Sequence, residues 1–322
     1  MVATIDVSLL RAGDPGDAVA HAIDRACRDN GFFAITGHGI PLALSDELER
    51  VSREFFALPE ATKLEIAMAR AGRRWRGFFP VGGELTSGQP DQKEGVYFGR
   101  ELPAEDPRVV AGVPLHGPNL WPSREMEATV LAWIAATAEV AALVMTAIAR
   151  ALGLQADYFA TTCMQDPTLL FRIFHYPPTS GDAWGVGEHT DYGILTLLLQ
   201  DQVGGLEVKS RGEWIAIPPE RGAIVCNIGD MLDRMTGGVY RSTPHRVRNV
   251  SGRERYSFPL FFDPSWDARV TRVPGAPEPE QHSDAVARWD KASVHAFDGT
   301  WGDYLMGKIA RVFPALFEAT TS

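Results

Sequence analysis

In the stretch GEHTDYG, residues 187–193, an imidazole (His189) and a carboxylate (Asp191) stand two residues apart, just ahead of the apolar run ILTLLL. A solvated turn could hold the same pair, but so could a metal centre. On an extended segment, residues two apart face the same side, so both side chains could reach one point. A third ligand would have to arrive from another strand. His245, which opens the strand-like HRVRN 54 residues after Asp191, is the best candidate. Four strand-like stretches lie between, enough to carry the chain across a barrel and back opposite His189. Two imidazoles and a carboxylate leave up to three positions of an octahedral ion open, which suits non-haem Fe(II). Zinc could use the same residues, with an activated water in the open position.

Ten residues beyond His245, Arg255 and Ser257 are again two apart in a strand-like run, RYSFPLF. A guanidinium takes a carboxylate in bidentate fashion, and a hydroxyl on the same face can donate to the same oxygens. One strand length past a metal ligand, the pair reads as an anchor for the far carboxylate of a metal-chelating acid. Of the other histidines, His21 sits in a helical pattern, His38 lies between glycines, and His282 and His295 fall in a polar C-terminal region. None has a ligand-like setting.

The elements that must position these groups fall into two parts. Asp17 caps a helix over AVAHAIDRACRD that stops at Asn30-Gly31, and FFAITGHG reads as a strand leaving on glycines. Helical patterns follow in LSDELERVSREFFAL and EATKLEIAMA. Residues 72–122 are rich in Gly, Pro, Arg and Trp and read as an irregular excursion. A long helix from about Arg124 to Leu152 comes next. From Leu169 onward, seven short strands (LFRIFHYP, ILTLLLQ, GLEVK, WIAIP, AIVCNI, HRVRN, YSFPLFFDP) follow without helices between them, as in a sandwich or jelly roll. GDYLMGKIARVFPALF reads as a closing helix.

Composition narrows the function. The 322 residues are 45% hydrophobic and 22% charged, and 41 acidic against 31 basic residues give a net charge of -10. That balance speaks against nucleic acid or an anionic membrane as a partner, though not against a small anionic ligand. Three scattered cysteines (Cys27, Cys163, Cys226) imply no disulfide framework and fit a reducing cytoplasm. The N-terminus has no basic segment followed by an apolar one, so no secretory signal is expected. The apolar stretch Ala128–Ala149 is interrupted by Glu139 and reads as a buried helix rather than a membrane span.

Taken together, His189-x-Asp191, His245 and Arg255-x-Ser257 resemble the iron- and 2-oxoglutarate-binding signature of the isopenicillin N synthase-like oxygenases. The segments NIGDMLDRMTGGVYRSTPHRVRN, RYSFPLFFDP, GFFAITGHGIP and FFALPEATKLEI resemble that family as well, so the similarity runs from about Ile5 to about Pro264. The resemblance implies a mainly β protein with flanking helices: a double-stranded β-helix (jelly-roll, cupin-like) core, an N-terminal helical region and a C-terminal helix. Residues 1–122 would form the N-terminal region and 123–322 the core, as one structural unit.

The resemblance further implies Fe(II) held by His189, Asp191 and His245, and 2-oxoglutarate as co-substrate with its far carboxylate on Arg255 and Ser257. Tyr176, in RIFHYPP, matches a tyrosine near the co-substrate, whereas Phe174 stands where many relatives carry asparagine. Dioxygen would then hydroxylate, desaturate or cyclise a small molecule, releasing succinate and carbon dioxide. Arg73, Arg74, Trp75 and Arg76, with Phe78 and Phe79, occupy a stretch that lines the substrate side in relatives and would suit an anionic or planar substrate. Phe262 is a further pocket candidate. Secondary metabolism would be a natural setting, and the sequence is silent on oligomeric state. The pattern also accommodates an oxidase of the isopenicillin N synthase or aminocyclopropane-carboxylate oxidase type, which uses no 2-oxoglutarate. More remotely, it could be a zinc hydrolase or a non-catalytic iron or 2-oxoacid sensor.

Overall fold

The computed structural model describes residues 2–13, 17–86, 88–178, 184–279, 285, 288 and 291–314; His282 lies outside them. Two facing sheets carry the core. Twelve strands are numbered in chain order: β1 (Ala3–Asp6), β2 (Phe32–Thr36), β3 (Gly77–Phe79), β4 (Glu94–Gly99), β5 (Pro167–Tyr176), β6 (Val186–His189), β7 (Leu195–Gln200), β8 (Leu206–Ser210), β9 (Glu213–Ile217), β10 (Ile224–Ile228), β11 (His245–Val247) and β12 (Arg255–Ser265). The larger sheet has the order β1-β2-β10-β7-β12-β5-β4-β3 and the smaller one β6-β11-β8-β9. Consecutive strands repeatedly cross from one sheet to the other, as a jelly roll requires.

All seven strands read from the sequence after Leu169 are present. The excursion over 72–122 differs from expectation because it contains β3 and β4, which extend the larger sheet beyond β5. All six residues of β4, EGVYFG, are buried. A strand covered on both faces shows no alternation, and flanking glycines make it look like loop. Strand β6, four residues long with a glycine inside, likewise shows no alternation.

Helices Asp17–Asp29 and Arg124–Ala151 support the larger sheet from behind. Helix Asp17–Asp29 ends at Gly31, whose φ of +67° is the left-handed stop that glycine allows. A Cβ there would also come within 2.6 Å of the Arg241 carbonyl oxygen. Helix Arg124–Ala151 starts at Ser123, whose side chain accepts from the Met126 N–H, and it carries Glu125 and Glu127 in its first turn. By length and composition this helix could cross a membrane, but Trp133, Val144 and Ile148 on it are buried. It packs against helices Asp17–Asp29 and Leu42–Phe56 on one side and against β5, β7 and β12 on the other. Helix Trp301–Val312 begins with a capping box between Thr300 and Asp303 and buries Trp301 and Leu305 toward the space between the sheets.

Candidate metal centre and its cavity

His189 is the last residue of β6 and His245 the first of β11, and the antiparallel register places the two opposite each other. Their ring centroids are 4.2 Å apart. Asp191 lies beyond the end of β6, so it does not share a strand face with His189 by alternation. The turn brings it back instead, because its carbonyl accepts from the Asp230 N–H at 2.8 Å and the Gly193 carbonyl accepts from Met231 N–H at 2.9 Å. The last glycine of GEHTDYG is required by close approach, since a Cβ on Gly193 would fall 1.5 Å from Asp263 Oδ1.

Hydrogen bonds leave one ligand atom free on each of the three groups. His189 Nδ1–H donates to the Gly187 carbonyl at 2.8 Å, and His245 Nδ1–H donates to the Thr243 carbonyl at 3.3 Å. A carbonyl can only accept, so each neutral ring carries its free pair on Nε2. Asp191 Oδ2 accepts from Thr196 Oγ1 and from Asn227 Nδ2, the latter at 2.6 Å. That leaves Oδ1, which lies 3.9 Å from His189 Nε2 and 3.6 Å from His245 Nε2. All three donor atoms fall within 4.8 Å of one another. Two imidazole nitrogens and one carboxylate oxygen, each oriented by an outer partner, fit a non-haem Fe(II) site with open positions.

The electrostatics agree. Burial, helped by the neighbouring His245, pushes the His189 pKa down to about 3, so the ring is neutral and ready to ligate at neutral pH. Burial works to raise the Asp191 carboxyl, but the two imidazoles and its hydrogen bonds hold it below the usual range, as an anion.

A cavity of about 880 Å³, its mouth included, opens beside these three residues. Strand alternation decides what lines it. From β12, Arg255, Ser257, Pro259, Phe261 and Asp263 face in, and from β5, Leu170, Arg172, Phe174 and Tyr176 do. At one end Arg255 is fully buried. Its Nε donates to the Gly204 carbonyl, its Nη2 lies 3.4 Å from Gln200 Oε1, and its Nη1 is buried with no partner. Tyr176, its cross-strand neighbour, lies under the guanidinium with Cζ 4.7 Å from the ring centroid, and the Tyr176 hydroxyl is 3.4 Å from Ser257 Oγ. Phe174 lies between Phe79, Tyr97 and Tyr176 as part of an aromatic wall where many relatives would present an amide.

The structure therefore brings together His189, Asp191, His245, Arg255, Ser257 and Tyr176. It does not bring Arg73, Arg74, Trp75 or Arg76 to the cavity. Arg74 donates to the carbonyls of Ala71 and Pro118, and buried Arg76 donates to that of Leu115. Burial lowers the Arg76 guanidinium to about 10. Arg74 and Arg76 brace neighbouring loops, Trp75 and Phe78 are core residues, and Phe79 packs on Tyr97 and Phe174. Phe262 is buried on the opposite face of β12 from Arg255, and its neighbour Phe261 lines the cavity instead. Counting in twos from Arg255 and from Tyr176 would have found Phe261, Asp263 and Arg172. No comparable signal flags Thr196 or Asn227.

Asp263 carries a testable consequence. Burial, opposed by the Ile194 N–H and aggravated by Asp191, raises its pKa to about 8. A carboxyl raised in the folded state contributes stability below its unfolded value near 3.8, and that contribution is lost as pH rises through 8. In the metal-free protein, Asp263→Asn keeps an oxygen for Ile194 and removes the dependence. Its melting temperature should therefore gain on the wild type between pH 5 and 8, by ~1–2 °C for each kcal/mol relieved, and level off above. A difference that is flat with pH would mean Asp263 is ionised in the fold throughout.

A jelly roll with a two-histidine, one-carboxylate centre beside a buried, half-open arginine defines a metal-dependent oxygenase architecture. Residues 167–264 match the family model of the 2OG-Fe(II) oxygenase superfamily, and residues 2–124 match that of the non-haem dioxygenase in morphine synthesis N-terminal region. The chain belongs to this superfamily and is an Fe(II)- and 2-oxoglutarate-dependent dioxygenase. It is 49% identical to a probable iron/ascorbate oxidoreductase of Dictyostelium discoideum, over 92% of this chain and 90% of that one. It is 38% identical to a 1-aminocyclopropane-1-carboxylate oxidase of Dictyostelium mucoroides, over 96% and 94%. Among solved structures, that of a full-length Neurospora crassa protein in complex with alpha-KG is similar at 28% identity and a TM-score of 0.79, covering 96% of each chain. These findings favour 2-oxoglutarate use over the oxidase, hydrolase and sensor readings.

Proposed function

We propose that His189, Asp191 and His245 hold the Fe(II) of this dioxygenase, and that Arg255 and Ser257 hold the far carboxylate of 2-oxoglutarate with Tyr176 beneath it. One observation carries the assignment: three free ligand atoms converge in the same cavity as a fully buried guanidinium whose Nη1 has no partner. Iron, 2-oxoglutarate and dioxygen supply the oxidising chemistry, with succinate and carbon dioxide released. The protein's own groups do the rest. Gly187 and Thr243 fix the imidazole tautomers, Thr196 and Asn227 restrict Asp191 to one free oxygen, and the walls of Phe174, Leu198 and Pro259 keep water from the co-substrate. The remaining cavity, between Arg172, Phe261 and helix Trp301–Val312, takes a small organic substrate. Residues 1–122 and 123–322 work as one unit, since β1–β4 share a sheet with β5, β7, β10 and β12. Three free, buried cysteines and the acidic composition support a cytoplasmic enzyme, with secondary metabolism as its setting.

The test is anaerobic addition of Fe(II) and 2-oxoglutarate to the metal-free protein. A weak visible charge-transfer band that requires both components is expected. Iron binding without that band would overturn the role given to Arg255 and Ser257 while sparing the metal centre.

A further inference from the structure

The cavity holds a second open guanidinium. Arg172 stands on β5 in step with Phe174 and Tyr176, so the alternation that aims those rings inward aims it inward too. Its Cζ lies 4.1 Å from the Tyr97 ring centroid and 4.7 Å from that of Phe261, which fixes the plane of the fork. Yet among the described residues the Arg172 side chain donates no hydrogen bond, and its Nε is buried without a partner. The nearest carboxylate oxygen, Glu84 Oε1, is 3.7 Å from Nη1, an ion pair too long to be a hydrogen bond.

Glu84 is already engaged. Its Oε1 accepts from the Tyr97 hydroxyl, and its Oε2 is 2.8 Å from Lys93 Nζ. Lys93 in turn donates to Asp91 Oδ2 at 2.5 Å and reaches Thr86 Oγ1 at 3.4 Å. The Lys93 charge is thus met by Asp91 and Glu84, whereas Arg172 and Arg255 keep open donors. A guanidinium has five N–H donors in a rigid fork, and leaving them unmet in a buried site is costly. A lone carbonyl oxygen cannot satisfy such a fork, but the two oxygens of a carboxylate can. Leu170, Trp301 and Leu305 supply apolar walls beside it.

We propose that Arg172 anchors the substrate, and that the substrate is a small, largely apolar molecule bearing a carboxylate that forks onto this guanidinium. The inference rests on the reading that 2-oxoglutarate occupies the Arg255 end.

The experiment uses the full chain loaded with Ni(II) and N-oxalylglycine, an inert 2-oxoglutarate analogue that fills the metal and Arg255 end. Benzoate, phenylacetate, 3-phenylpropanoate and hexanoate, each paired with its primary amide, are titrated by ligand-observed NMR. At least one carboxylate should bind ~10-fold or more tightly than its amide, as a charge-assisted bidentate contact implies. Arg172→Gln should erase that preference while N-oxalylglycine affinity stays as in the wild type, which shows the variant is folded; Arg172→Lys should fall between. No carboxylate preference in the wild type, or one that survives in Arg172→Gln, overturns the proposal. Failure of N-oxalylglycine to bind would instead overturn the reading of the Arg255 end, and the assignment of Arg172 would fall with it.

Discussion

Replacing His189 with alanine should abolish turnover and metal retention together while leaving the metal-free fold intact. The imidazole makes one hydrogen bond to the protein, to the Gly187 carbonyl two residues away, and is held neutral by burial. Its removal therefore takes little from packing and deletes one of three ligand atoms. Losing an outer partner of a ligand costs ~10–100-fold in metal affinity or activity, and losing the ligand itself should exceed that. Asn227→Ala, which frees Asp191 Oδ2 from a 2.6 Å contact, should fall in that lower range. Asp191→Ala should be the less stable of the two ligand variants, because buried Thr196 and Asn227 both lose their acceptor, at ~1–3 kcal/mol for each group left unmet. Metal content after dialysis, turnover and metal-free melting temperature check all three variants. A His189→Ala protein that keeps its metal and its activity would remove His189 from the centre.

That centre was legible in the sequence to an unequal degree. Residue types and spacing pointed to His189, Asp191 and His245, and the structure brings them together, but by a different route from the one strand logic suggests. His189 ends β6, and Asp191 is held by the turn that Asp230 and Met231 grip through their backbone N–H groups. Contacts between residues 191 and 230 leave no mark on local pattern. The same holds for Arg76, whose charge reads as a surface or pocket feature until a carbonyl 39 residues away buries it. Phe262 is another matter. Once Arg255 and Ser257 are assigned to the inner face of β12, period two places Phe262 on the outer face and Phe261 on the inner one, so that distinction was available from sequence. Strand β4 was not, because burial of both faces erases the alternation by which strands are recognised.

Arg255 provides the second large effect. It is fully buried, its Nη1 has no protein partner, and no carboxylate among the described residues lies within ion-pairing distance. A buried cation in that state is destabilising until an anion arrives, so the co-substrate's far carboxylate finds a site already desolvated and oriented by Tyr176 and Gly204. Arg255→Leu should raise the 2-oxoglutarate KM by ~10–150-fold, the equivalent of a charge-assisted hydrogen bond worth ~1.5–3 kcal/mol. At saturating 2-oxoglutarate kcat should change far less, since the lost contact acts in binding. Arg255→Lys should recover only part of the affinity, because an ammonium cannot fork onto two oxygens, and Ser257→Ala should cost less than either. The decisive comparison is with 2-oxopentanoate, which keeps the chelating end and the chain length but lacks the far carboxylate. Its disadvantage against 2-oxoglutarate should shrink in Arg255→Leu by about the factor that KM has risen. If KM rises while that disadvantage stays as in the wild type, Arg255 holds the cavity wall through the Gly204 carbonyl and grips no carboxylate.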